Sequence, residues 1–206
     1  MAAELTLAGI GLDLARIVHL FAMAVAVGTV AFTDFSMLRR LQVPIRHGWI
    51  GFLTMTHQFV VWVMVVIWVS GLCLIWLRTD FQVEAFTPKL WAKLTVVNIL
   101  LLTAVGIKRF VVPRIIEGAG GTMLDLPWRA KRAIAIFAGL SVAGWSSALI
   151  LGGSDLLKPV GPGILSLIFG AVYLTTVSAA LAMAWRAHLI YSSTLPGIDH
   201  RISSRY

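Results

Sequence analysis

Apolar residues run through this chain in five long blocks, separated by short polar stretches rich in proline and glycine. Each block can carry a helix across a bilayer core of about 30 Å, which takes roughly 20 residues at about 1.5 Å per residue. The pattern predicts helices at Leu12–Phe35, Trp49–Leu77, Leu90–Val112, Ala130–Leu151 and Gly163–Trp185. Periodicity adds little, because a helix surrounded by lipid is apolar all round. The breakers fall between the blocks: Pro44, Pro88, Pro113 with Gly118, Gly120 and Gly121, Pro127, and the stretch from Gly152 to Gly163. The expected fold is all-α, an integral membrane bundle of five transmembrane helices. Residues 1–206 form it as a single domain, with the two termini on opposite sides.

Composition agrees. Hydrophobic residues make up 59% of the chain and charged residues 13%, where a soluble domain carries about 25% charged. The formal net charge of +8 would raise nucleic-acid binding in a soluble protein, but no soluble reading surface is left to do it. Cys73 is the one cysteine, so an internal disulfide is excluded.

The position of the basic residues sets direction. Twelve of the 17 Lys and Arg residues fall in the Arg39/Arg40/Arg46 loop, the Lys108-to-Arg132 stretch and the C-terminal tail; Arg16, Arg78, Lys89, Lys93 and Lys158 fall on the other side. Positive loops stay inside, which puts the N-terminus outside and the C-terminus inside. Trp49, Trp128 and Trp185 then mark the inner boundary and Trp76 and Trp91 the outer one, with Trp62, Trp68 and Trp145 mid-span for packing. The basic inner face also attracts anionic lipid headgroups.

Ionisable groups inside a span are costly and so are candidates for function. They are His19, His57 and Lys93, with Asp13, Arg16, Asp34 and His188 near helix ends. His19 and Lys93 fall at similar depth in the outer leaflet, with Arg16 one turn nearer the surface, a cluster suited to an anionic group such as a carboxylate or haem propionate. His57 enters from the inner side, about nine residues or roughly 13 Å away in depth, so one metal is not expected to bridge His19 and His57. Small residues beside His19 (Ala22, Ala26, Thr29, with Met23 as a candidate axial ligand) would clear a face for a flat macrocycle. Ala135, Gly139, Ala143 and Ser147 form a second small-residue stripe, read equally as a cofactor groove or as helix packing. His57, beside Thr54 and Gln58, reads as a core histidine or a further metal candidate, and Asp34 as a helix-end ion pair with Arg39. His188 reads as a solvated interfacial residue, and His47 and His200 as loop or tail residues. No two-cysteine metal motif, i,i+4 histidine pair, nucleophile elbow, Walker loop or dinucleotide fingerprint is present. A haem b site needs only one or two placed ligands.

The run Arg16-Ile17-Val18-His19-Leu20, continuing through Gly28 to Asp34, Met37, Leu38 and Arg39, resembles the first helix of a group of small bacterial membrane proteins. The group includes the haem-type protoporphyrinogen oxidases, the copper-resistance D-type proteins and families of unassigned function. Pro88-Lys89-Leu90-Trp91-Ala92-Lys93-Leu94 is similar to its third-helix pattern. Gly28 and Asp34 match the unassigned relatives. The resemblance implies a bacterial inner-membrane protein, N-terminus periplasmic and C-terminus cytoplasmic. It implies His19 as haem b iron ligand and Lys93 as its functional partner in catalysis, with Arg16 and Met23 placed beside the cofactor by their spacing from His19. The expected function is electron transfer or oxidoreduction with a quinone or porphyrinogen. The alternatives are copper handling, with Met23, Met55, Met64, Cys73 and His19 as soft ligands, and a non-catalytic scaffold. Expected partners are the lipid bilayer and further copies of the chain.

Overall fold

A computed structural model describes residues 7–194; the tail residues His200, Arg201 and Arg205 lie outside the described residues. Among the described residues, five helices are each long and apolar enough to cross a membrane. They are α1 (Leu7–Arg39), α2 (His47–Thr79), α3 (Pro88–Glu117), α4 (Trp128–Gly153) and α5 (Pro162–Thr194). Every helix outruns its apolar block, because hydropathy reads the hydrocarbon core while the backbone stays helical into the polar boundary. The bundle's N-terminal face is the end at which α1 begins; the opposite end is its C-terminal face.

Pro113 does not end α3. Proline lacks the amide proton and crowds the carbonyl four residues back, which ordinarily kinks or breaks a helix. Here the turn Ile107–Val111 widens to a π-helix, and Val112 N–H donates to the Ile107 carbonyl, so the chain passes the proline and continues through Val112–Glu117. The Arg114 guanidinium donates to the Phe110 carbonyl beside it.

α1 packs along α2 as a hairpin, and α4 packs along both α3 and α5, whereas α2 and α3 approach at few positions. The bundle is therefore two groups of helices meeting at a seam. Ala22 and Ala26, Met64 and Ile67, Val96 and Leu100, Trp145 and Leu151, Leu165 and Phe169 fill it as one core. Of the mid-span tryptophans, Trp145 belongs to this core, while Trp62 is 64% exposed on the outer surface. Phe21, Leu102, Leu167 and Leu174 are likewise exposed, as a lipid-facing surface requires.

A second apolar cluster closes the C-terminal face, with Ile45, Val111, Ile115, Met123, Leu126 and Ala130 buried together. Two backbone bonds tie its loops: Ile45 N–H donates to the Gly121 carbonyl at 2.8 Å, and Gly120 N–H to the Ile45 carbonyl at 2.9 Å. Gly120 sits at φ +93°, where a side chain would be strained.

Candidate functional site

At the N-terminal end of the seam, His19 of α1 points at α2. Its Nδ1 lies 2.9 Å from the Ser70 hydroxyl. Ser70 Oγ is also 2.6 Å from the Val66 carbonyl and 3.2 Å from that of Ile67. A hydroxyl has one proton, and the carbonyl, which can only accept, takes it. In the neutral ring Nδ1 of His19 then carries the proton and donates it to Ser70, with the Ile67 carbonyl a second acceptor beside the ring, and Nε2 is left unprotonated. The adjacent Gly71 lets the ring approach: a Cβ there would sit 3.4 Å from His19 Cε1. Ser70 and Gly71 are a polar-small pair within an otherwise apolar run, visible in the sequence, but nothing there shows which helix they face.

The other residues expected beside His19 are placed differently. Lys93 is exposed on α3, within electrostatic range of His19. Arg16 is exposed too and pairs with Asp13, Nη1 to Oδ1 at 3.2 Å. Met23 is half-buried against the seam core. Ala22 and Ala26 do not form a cleared face, being 6% and 0% exposed within that core. The stripe Ala135, Gly139, Ala143 and Ser147 is a packing surface: a Cβ at Gly139 would meet Val177 Cα at 2.7 Å, so α4 and α5 touch backbone to backbone there. The soft donors Met55, Met64 and Cys73 also part company, since Met55 is 68% exposed, Met64 is buried in the core and Cys73 is half-buried.

Toward the C-terminal half of the seam, α1, α2, α3 and α4 line a half-open cavity of about 140 Å³. Asp34 and His57 both line it, as do Thr33, Thr56, Thr103 and Ser141, in a wall that is otherwise apolar. The Thr33 and Thr103 hydroxyls donate back to their own helix, to Thr29 and Ile99 carbonyls at 2.8 and 2.7 Å. Among the described residues, the Asp34 carboxylate and the His57 ring have no hydrogen-bond partner. Asp34 does not pair with Arg39, whose guanidinium lies 4.6 Å from the Phe35 ring centroid instead. The π-helical turn forms part of the wall through Ile107 and Val111. Phe137, also in the wall, lies on the bare backbone of Gly106, where a Cβ would come within 2.0 Å of its Cε1.

His188 is engaged at the C-terminal face. Its ring stacks on Trp128 with centroids 5.5 Å apart, Trp185 closes the third side, and Lys131 Nζ lies 3.5 Å from Nδ1. Lys131 is buried. The Tyr191 hydroxyl donates to Asp125, which also accepts from Thr122 N–H and Oγ1. Those bonds, with Tyr191 foremost, hold the Asp125 carboxyl below the usual carboxylate range.

Among the described residues, no group of three or more His, Cys, Asp or Glu side chains could hold a metal ion. Comparison with protein-family models, with curated proteins and with solved structures gave no match.

Proposed function

We propose that this chain is a redox protein of the bacterial inner membrane that holds haem b through Nε2 of His19. The orientation in this reading has the N-terminal face periplasmic and the C-terminal face cytoplasmic, as the distribution of Lys and Arg favours. The observation that carries it is the Ser70 hydroxyl on His19 Nδ1. A metal-ligating imidazole typically donates its other ring proton to a fixed acceptor, which selects the tautomer and aims the ligating nitrogen. Ser70 does this for His19 and leaves Nε2 to serve as the iron ligand.

The donor set favours haem over a bare copper ion. A bare ion takes three or four side chains, and no His/Cys/Asp/Glu group of that size exists among the described residues. A haem brings its own equatorial nitrogens and asks the chain for one or two axial ligands. When bound, the iron supplies one-electron chemistry that no side chain here provides. Ala22 and Ala26 are packed into the seam core, so in this reading the macrocycle lies outside the packed seam, on the side of α1 where Leu20 and Phe21 are exposed. The chain's own contributions are an imidazole of fixed tautomer and an exposed ammonium at Lys93, the cation available to a propionate or a substrate carboxylate. Arg16 can join it, because its exposed pair with Asp13 is worth little and exchanges readily.

The test is the pyridine haemochrome content and reduced-minus-oxidised spectrum of full-length protein in detergent. Wild type should carry haem b and His19→Ala should lose it; wild-type protein that stays colourless after haem reconstitution refutes the reading.

A further inference from the structure

The cavity at Asp34 and His57 lies toward the other end of the seam from His19, and its chemistry is separate. Its volume of about 140 Å³ is close to the roughly 150 Å³ of an engineered apolar cavity that takes up benzene. One six-membered ring fits; a porphyrin is several times too large. Four helices build the wall, with Val60, Met64, Leu100, Phe137 and Trp145 presenting apolar and aromatic faces. Small-molecule sites in helix bundles have this make-up, an apolar wall with a few polar groups that fix orientation.

The polar groups narrow the ligand. Asp34 and His57 face the space without a hydrogen-bond partner among the described residues. The Thr33 and Thr103 protons are spent on their own helices. A plain hydrocarbon ring would leave both ionisable groups desolvated and unpaired, which is costly. A ring bearing two hydroxyls satisfies them: one donates to the Asp34 carboxylate, and the other accepts from a His57 N–H. Both residues lie on helices long and apolar enough to span a membrane, and the cavity they line is half open and mostly apolar, which suits a lipid-soluble ligand. The π-turn in the wall is a second pointer, since π-bulges occur frequently at functional sites.

From this geometry we infer that the cavity binds the headgroup of a membrane quinol, with one ring hydroxyl donating to the Asp34 carboxylate and the other paired with His57. The inference stands whether or not haem is held at His19.

The probe is a benzoquinol with a single isoprene tail, kept reduced under argon and titrated into detergent-purified full-length protein while tryptophan fluorescence is followed. Trp145 lies in the wall and reports contact. Saturable quenching is expected in wild type, with a smaller amplitude in Trp145→Phe. Affinity should fall at least ten-fold in His57→Gln and Asp34→Asn, and also in Ala138→Leu, which fills the space. Lys158→Ala, an exposed loop change, should bind as wild type does. The two polar isosteres keep the shape of the wall, so they remain informative if Ala138→Leu fails to fold. Quenching that rises linearly with quinol partitioned into the micelle, or equal affinity in wild type and all cavity variants, overturns the assignment.

Discussion

Ser70 accepts the Nδ1 proton of His19 at 2.9 Å while giving its own to the Val66 carbonyl at 2.6 Å. This relay joins α1 to α2 through their side chains and fixes one imidazole in one tautomer. Ser70→Ala removes the acceptor at 2.9 Å and leaves the part-buried N–H with only the Ile67 carbonyl beside it, a loss worth about 0.5–1.5 kcal/mol. We expect a lower unfolding temperature in detergent, with Ser70→Thr close to wild type because it keeps the hydroxyl. Equal stability of wild type and the alanine variant would show that the bond carries no weight.

Gly106 and Phe137 make a second pair whose disruption has a clear sign. A methyl group at 106 would overlap the Phe137 ring, and overpacking of this kind costs roughly 1–3 kcal/mol. Gly106→Ala should therefore destabilise, and adding Phe137→Leu should recover part of the loss. The double-mutant cycle reads this as a coupling of about 0.5–3 kcal/mol; strict additivity would mean the ring moves aside freely.

The five spans were legible because the bilayer dictates a length of apolar chain that few other structures need. Helix ends were not, since Arg39, Thr79 and Glu117 are polar yet helical. Pro113 read as a stop because the one-residue expansion of the turn before it has no sequence signature. His19 stood out as an ionisable group deep in a span, but its acceptor Ser70 lies 51 residues away. Asp34 and His57 were each visible and each assigned to something local, an ion pair with Arg39 and a core histidine. The cavity that unites them is made by four helices and belongs to no segment of the sequence.

At the C-terminal face, acid should loosen the clasp between α5 and the loop before α4. Asp125 has a folded pKa held below its ordinary value, chiefly by the Tyr191 hydroxyl. A carboxylate so depressed contributes stability above its unfolded pKa, and loses it as pH falls through the folded one. Thermal unfolding followed from pH 7 down to pH 3, about the carboxylate range, should show Tyr191→Phe less stable than wild type at pH 7 and the difference shrinking toward pH 3. A difference independent of pH would place the effect of Tyr191 elsewhere.

The tautomer of His19 is the point on which the account of the N-terminal site rests. It can be read from ¹⁵N chemical shifts of histidine-labelled, haem-free protein, with His19→Gln assigning the signal. The account predicts a protonated Nδ1 and an unprotonated Nε2 at neutral pH, with that preference weakened in Ser70→Ala. A wild-type ring carrying its proton on Nε2 would contradict it.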